Sequence, residues 1–253
     1  MTMQHDLAAT DGDACACFAC RPADAPAPRD LSRRGFLGVG AAAATVGLLA
    51  GTGLALPRPA LAQSAIGPAT ALAQLMAGNE RFVAQRLTSF QEDLDILKAN
   101  TVDKQEPFAA VLSCADSRVP VELAFDQSIG HVFVNRVAGN LATNEIIASL
   151  EYGVAVLGTE VIMVMGHGAC GAVKAAIAGK AVPGQISSLY RHIRPAIDQA
   201  GTDLDAAIRA NAQIQARLLW ESSPVIGEAV KQGKVKVVAS YYDLANGKVT
   251  LLG

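Results

Sequence analysis

Short apolar runs bounded by glycine or polar residues recur between residues 108 and 252. They are typical of buried β-strands, and they predict strands over residues 108–113, 131–137, 160–166 and 235–241. The run 160–166 is apolar at consecutive positions, as expected of a central parallel strand that is covered on both faces. Asn246-Gly247 is a typical hairpin turn, so we expect a final strand over residues 248–252, antiparallel to the one before it.

Between these runs, apolar residues recur every three or four positions, as they do along one face of a helix. In residues 69–86 this stripe consists of Leu72, Leu75, Met76, Phe82 and Val83. The same spacing predicts further helices over residues 120–125, 144–157, 168–178, 186–199, 204–220 and 225–231. Strands that alternate with helices predict an α/β fold, with a central mostly parallel sheet flanked by helices and one antiparallel edge strand.

The N-terminal part of the chain has a different pattern, which is typical of an export signal. Arg33-Arg34 precedes a weakly hydrophobic stretch, residues 38–56, and an Ala-Leu-Ala sequence that ends at Ala62 matches a cleavage site. We therefore expect a twin-arginine signal over residues 1–62, export through the twin-arginine translocon, and a periplasmic domain over residues 63–253. The alternative is that the apolar stretch stays uncut and anchors the protein in a membrane.

Composition is that of a globular protein and bounds the possible partners. Hydrophobic residues make up 51% of the 253 residues, and the formal net charge is -2. Because there is no basic surplus, we expect no nucleic-acid partner. Cys15, Cys17 and Cys20 fall in the N-terminal part, where we assign them no defined role. The other two cysteines, Cys114 and Cys170, could form a disulfide, as is common in exported proteins, or serve as metal ligands.

The stretch Cys114-Ala115-Asp116-Ser117-Arg118 directly follows the first predicted strand. At a strand end the chain leaves the sheet, and its side chains can converge on a crevice. A thiol, a carboxylate and a guanidinium at alternate positions indicate a metal ligand beside acid–base chemistry. The same residues are also consistent with a strand exit in which Asp116 and Arg118 form a surface salt bridge, because structural ion pairs are common there.

A second group of candidate ligands follows the third predicted strand. His167 and Cys170 are about one helical turn apart, and imidazole nitrogen and thiolate sulfur are preferred zinc ligands. Because the carboxyl ends of parallel strands lie at one edge of a sheet, we expect this pair to meet Cys114. Three protein ligands leave a fourth position, which water or Asp116 could fill. If Arg118 holds Asp116 in a bidentate pair, that position is free for water.

Cys-x-Asp-x-Arg, followed about 50 residues later by His-x-x-Cys, resembles the signature of the β-class carbonic anhydrases. The resemblance extends over most of the chain after the N-terminal part. It implies one zinc ion per subunit, bound by Cys114, His167 and Cys170, and reversible hydration of CO₂ to bicarbonate and a proton by zinc-bound hydroxide. It also implies that Arg118 pairs with Asp116, which accepts a hydrogen bond from that hydroxide or, in a closed state, binds the zinc itself.

The resemblance further implies a substrate pocket and a homodimer or larger homo-oligomer. Gln105 matches a glutamine that reaches the partner subunit's site in this family, where it could donate an amide N–H to an oxygen of CO₂. Phe133 and Tyr152 match apolar positions of the pocket. Ala138 stands where related enzymes carry a bulkier aliphatic residue, and all three side chains could line a dry slot for CO₂.

The remaining polar residues leave several interpretations open. Arg136 and Asn140 also fit the family pattern, whereas His131 and His192 could shuttle protons or be ordinary surface or loop histidines. The same zinc site could instead hydrolyse a related heterocumulene such as CS₂. It could also belong to a non-catalytic, zinc-stabilised assembly module, although a purely structural zinc site needs neither the acid nor the arginine of the first motif.

Overall fold

One mixed sheet organises the part of the chain that the computed structural model describes, residues 66–89 and 104–253. Its strands are β1 (Ala109–Ser113), β2 (Val132–Arg136), β3 (Val161–His167), β4 (Lys236–Tyr242) and β5 (Val249–Leu252). In space their order is β2-β1-β3-β4-β5. Strands β1 to β4 are parallel, and β5 runs antiparallel to β4 at one edge. This confirms the predicted α/β fold, including its antiparallel edge strand.

Helices connect and cover the strands, as predicted, but several of their ends differ. Within the described residues they are α1 (Pro68–Val83), α2 (Val121–Ala124), α3 (Asn144–Ala155), α4 (Gly171–Ala178), α5 (Tyr190–Ala200), α6 (Leu204–Ser222) and α7 (Pro224–Lys231), with a 3₁₀ turn at Ile186–Leu189 before α5. Helix α1 ends before the predicted residue 86, because Gln85 has a left-handed φ of 56°. Helix α4 starts three residues later than predicted, because Ala169, with φ 54°, forms a turn.

The two faces of the sheet bury alternate residues of the same strands. Every residue of β1 and β3 is buried. Val111 and Met163 pack on the side covered by α1, together with Leu75. Leu112 and Ile162 pack on the other side, with side chains of α3, α6 and α7. Because both faces are covered, these strands are apolar up to their last residues, Ser113 and His167. Each large buried side chain stabilises the fold by about 1.5–3 kcal/mol.

The carboxyl ends of β1 and β3 lie side by side at one edge of the sheet. Ser113, the last residue of β1, pairs with Met165, so the chain leaves β1 beside the end of β3. Helix α6 approaches this edge closely, since a Cβ atom at Gly166 would lie 3.1 Å from Cγ2 of Ile208. The topology therefore places both sequence motifs, with α6 next to them, at the carboxyl ends of the parallel strands.

The N-terminal features of the sequence lie outside the described residues. These are the twin-arginine motif, the apolar stretch 38–56, the cleavage site near Ala62 and the first three cysteines. The predicted division of the chain at residue 62 therefore stays a prediction. Within the described ranges, no helix is long and apolar enough to cross a membrane.

Candidate metal centre

Three buried side chains converge where β1 and β3 end. Cys114 directly follows β1, His167 is the last residue of β3, and Cys170 precedes the first turn of α4. Their candidate ligand atoms all lie within 4.8 Å of one another. The structure thus brings together the three residues that the two motifs proposed as ligands, from positions more than 50 residues apart in the chain.

The imidazole of His167 is oriented so that its Nε2 nitrogen can bind a metal ion. Nδ1 lies 2.9 Å from the carbonyl oxygen of Gly168, which can only accept, so Nδ1 carries the hydrogen. The other nitrogen, Nε2, is buried and has no hydrogen-bond partner among the described residues. A bare imidazole nitrogen that faces two cysteine sulfurs fits a zinc ion, and the backbone contact at Nδ1 is typical of metal-binding histidines.

The two thiols of the cluster are free, and a hydrogen bond joins them. A hydrogen bond from the Cys170 thiol lowers the pKa of Cys114, and the backbone N–H of Gly139 adds to this effect. The same bond to the Cys114 thiolate, together with burial, raises the pKa of Cys170. In the metal-free protein, the pair therefore loses its first proton readily, because the remaining thiol stabilises the thiolate that forms.

Asp116 lies beside this cluster and is held by Arg118. Its Oδ1 accepts from the backbone N–H of Arg118 at 3.0 Å and from Nε at 2.9 Å, and its Oδ2 accepts from Nη2 at 2.7 Å. This bidentate pair lowers the pKa of Asp116 well below its usual range. Oδ2 also lies 3.9 Å from Nε2 of His167. The predicted salt bridge is present, but it stands next to the candidate ligands rather than in isolation.

A second arginine fixes the backbone of the first motif. Arg136 ends β2, next to β1, and its Nε donates to the carbonyl of Cys114 at 3.0 Å. Its Nη2 donates to the carbonyl of Asp116 at 2.6 Å. These two bonds hold the segment between the ligand and the acid in one conformation.

The residues predicted to line the pocket are not all brought together within one chain. Ala138 is half-buried and adjoins Gly139, which contacts Cys114. Phe133 and Tyr152 contact each other, with ring centroids 6.3 Å apart, but Phe133 lies roughly 10 Å along β2 from the edge with the ligands.

Gln105 and the two candidate shuttle histidines are not part of the ligand cluster. Gln105 is exposed and precedes β1, at the opposite end of that strand from Cys114. His131 precedes β2 and so also stands at the amino edge of the sheet. His192 lies on α5, where burial and the neighbouring Arg191 lower its pKa. Neither histidine joins the ligand cluster.

Sequence reasoning missed a buried polar group behind the cluster. The backbone N–H of Gly139 donates to Sγ of Cys114 at 3.3 Å, and Asn211 of α6 donates to the carbonyl of Gly139 at 2.9 Å. Asn211 and Gln215 are both buried on α6 and hydrogen-bonded to each other. The one sequence signal was a pair of amides four positions apart on an Ala-rich helix, since that spacing puts them on one face.

Comparison with known proteins shows that this chain is similar to carbonic anhydrases. A family model described as carbonic anhydrase matches residues 109–249. Carbonic anhydrase 2 of Mycobacterium tuberculosis is 33% identical over 192 residues, which cover 73% of this chain and 92% of that protein.

Solved structures show the same similarity. The β-carbonic anhydrase CafA of Aspergillus fumigatus superposes with a TM-score of 0.58 at 25% identity, covering 72% of this chain and 90% of that one. A tetrameric β-carbonic anhydrase of Sordaria macrospora has a TM-score of 0.56 at 21% identity, covering 73% and 98%, and shows a common fold alone.

Proposed function

Because this chain belongs to the β-class carbonic anhydrase family, it is an enzyme of CO₂ hydration, and we propose that a zinc ion held by Cys114, His167 and Cys170 is its cofactor. The observation that supports this assignment is the cluster of three buried ligand atoms within 4.8 Å of one another. Zinc bound there supplies a Lewis acid that lowers the pKa of a water ligand to about 7.

In this proposal, Asp116 accepts a hydrogen bond from the attacking water and directs its lone pair toward the carbon of CO₂. The support is the position of Oδ2, which lies 3.9 Å from Nε2 of His167. Because Arg118 keeps the pKa of Asp116 low, the carboxylate stays ionised and remains an acceptor at neutral pH.

The pairing with Arg118 also bears on the closed state, in which Asp116 itself would bind the zinc. To do so, the carboxylate would have to move toward the ligands, away from the three hydrogen bonds that it accepts from Arg118, two from the guanidinium and one from the backbone. The present arrangement therefore favours Asp116 as a hydrogen-bond acceptor, with the fourth zinc position left to water or substrate.

We further propose that the substrate pocket is completed in a homo-oligomer. Gln105 is exposed and lies at the far end of β1 from its own ligand cluster, so it is placed to serve the site of a second subunit. Phe133 and Tyr152 form a partly exposed aromatic pair, with Tyr152 46% exposed, and together with Ala138 they would give CO₂ an apolar slot. The Sordaria macrospora enzymes with this fold are tetrameric.

Stopped-flow measurement of CO₂ hydration by the zinc-loaded, full-length protein tests the proposed function. We expect one zinc per subunit and hydration well above the uncatalysed rate between pH 7 and 9, with CS₂ turned over slowly or not at all. Turnover of CS₂ but not CO₂ would assign the pocket to that heterocumulene. Full zinc content with neither activity would identify a structural zinc module instead.

The export signal supports a periplasmic location, which we propose from Arg33-Arg34, residues 38–56 and the cleavage site near Ala62. Because twin-arginine substrates cross the membrane folded, zinc could be inserted before the two thiols meet an oxidising compartment. Replacement of both arginines by lysine should retain the protein in the cytoplasm. Cell fractionation and N-terminal sequencing would measure this, and a wild-type protein that is found in the cytoplasm with Met1 intact would contradict the proposal.

A further inference from the structure

We propose that Asn211 is a positioning residue for the zinc ligand Cys114 and that it acts through the backbone of Gly139. This inference rests on the proposed function, because it takes Cys114 as a ligand. The chain of contacts is short and buried. Asn211 Nδ2 donates to the carbonyl oxygen of Gly139 at 2.9 Å, and the N–H of the same glycine donates to Sγ of Cys114 at 3.3 Å.

The loop that contains Gly139 needs this support. Gly139 and Asn140 both have left-handed backbone conformations, with φ of 82° and 48°. A side chain at 139 would be strained by that φ, and its Cβ would lie 3.3 Å from Cδ1 of Ile193. Glycine satisfies both constraints, and the N–H of Asn140 donates to the carbonyl of Val137 at 2.9 Å, which closes the turn around Gly139. Asn211 binds the carbonyl side of that same peptide unit, so Gly139 is held from α6 as well, with its N–H directed at Cys114.

Asn211 is itself rigidly held on α6. It is 0% exposed, and its Oδ1 accepts from Nε2 of Gln215 at 3.2 Å. Gln215 also accepts from the N–H of Ala142 at 2.9 Å and donates to the carbonyl of His192 at 3.0 Å. A backbone N–H can only donate a hydrogen bond, and a backbone carbonyl can only accept one. These contacts therefore determine how both side-chain amides are oriented, and Nδ2 of Asn211 must face the loop.

This arrangement affects the metal through the charge and the position of the Cys114 sulfur. An N–H that points at a thiolate stabilises its negative charge and reduces the electron density available to a bound metal. It also holds the sulfur at the edge shared by β1 and β3. When a hydrogen bond to a metal-binding side chain is removed, metal affinity or activity typically falls by about 10- to 100-fold.

The test compares two leucine substitutions of buried asparagines in the full-length protein. Asn211→Leu removes the donor to Gly139. Asn79→Leu is the matched control, because Asn79 is equally buried but its three hydrogen bonds go to Ala124, Gly247 and Val249. Both variants should lose thermal stability. Only Asn211→Leu should release zinc to a chelator about 10-fold faster or more.

The absorption spectrum of the cobalt-substituted protein gives a second measurement, which a purely structural effect would leave unchanged. Without the N–H···S bond the thiolate is more electron-rich, so its charge-transfer band to Co²⁺ should shift to longer wavelength in Asn211→Leu and stay unchanged in Asn79→Leu. A wild-type band and wild-type zinc release in folded Asn211→Leu would overturn the inference. If that variant does not fold, Asn211→Ser, whose hydroxyl is too short to reach Gly139, must show the same two changes.

The outcomes separate this inference from the proposed function on which it rests. If wild-type protein takes up neither zinc nor cobalt, the ligand assignment fails, and the role of Asn211 fails with it. If wild-type protein binds cobalt through thiolates but Asn211 substitutions change nothing, only the positioning role is wrong.

Discussion

At the scale of single residues, the two oxygens of Asp116 have different surroundings. Oδ1 accepts two hydrogen bonds from Arg118, whereas Oδ2 accepts one from Arg118 and also faces the imidazole of His167. Because the guanidinium is charged at any accessible pH, the carboxylate stays ionised throughout the range in which the enzyme is expected to work. The residue therefore has a fixed charge, a fixed orientation and one oxygen turned toward the candidate metal.

Replacement of Asp116 by asparagine should lower kcat/KM for CO₂ by about 100-fold or more while zinc content stays near one per subunit. The reason is that the amide loses the negative charge and can present an N–H where the carboxylate accepts. Stopped-flow assays with metal analysis measure both quantities. Asp198→Asn is the control, since Asp198 pairs with Arg194 on the exposed surface of α5. Equal activity in Asp116→Asn and wild type would remove Asp116 from the mechanism.

At the scale of elements, one buried carboxylate joins the end of α1 to the turn after α2. Asp126 accepts from the backbone N–H groups of Thr88 and Ser89 at 2.9 and 3.0 Å, and it forms an ion pair with Arg81. Burial raises the pKa of Asp126, but the hydrogen bonds from Arg81, Ser89 and Thr88 outweigh it and hold the pKa below its ordinary value. The ionised form is thus the one that binds these elements together.

Asp126→Asn should reduce the free energy of unfolding at pH 7 by about 2 kcal/mol, because the amide loses the charge and one of the two acceptor oxygens that bind Arg81, Thr88 and Ser89. The folded-state pKa is lowered, so this contribution is complete above the unfolded-state pKa of about 4 and is lost as the pH falls. The difference between the variant and wild type should therefore shrink below pH 4. Urea unfolding from pH 3 to 7 measures it, and a difference that is constant with pH would contradict the assignment.

The first residue of helix α4 shows what the sequence pattern could not predict. The apolar spacing of residues 168–178 predicts one continuous helix, but α4 begins at Gly171. The turn at Ala169 lets His167 and Cys170 face the same point, and this constraint comes from Cys114, which follows another strand. Hydrophobic periodicity records which side of a segment is buried, and it carries little information about a local turn imposed from outside the segment.

At the scale of the whole molecule, the single chain leaves its proposed pocket incomplete. Gln105 and Cys114 stand at opposite ends of β1, so in the proposed arrangement the glutamine that contacts substrate comes from a different subunit. This requirement ties the proposed activity to self-association, since a closed dimer with two-fold symmetry would exchange the same residue in both directions.

Mixed dimers distinguish action between subunits from action within one. A Gln105→Ala subunit keeps its zinc site, and a Cys170→Ser subunit keeps its glutamine. Each variant alone should lose about 100-fold in kcat/KM, through the missing donor or the missing metal. A dimer of one subunit of each kind, isolated with two affinity tags, should regain about half of wild-type activity, because one site is again complete.

The control places both substitutions in one subunit and pairs it with a wild-type subunit. If Gln105 acts across the interface, this dimer has no complete site and should be nearly inactive. If Gln105 acts within its own subunit, this control dimer keeps about half of wild-type activity and the dimer of the two single variants is nearly inactive. That result would show the proposed arrangement to be wrong.

The sequence by itself determined the strand and helix pattern, the parallel sheet with its hairpin edge, and the candidate ligands Cys114, His167 and Cys170. These features are local, because periodicity, turn residues and motif spacing are all written in short stretches of chain. Only the tertiary structure decided how Asp116 faces the cluster and that Asn211 supports it through Gly139, 72 residues away in sequence. Such hydrogen bonds depend on which helix crosses which strand end, and no spacing along the chain specifies that.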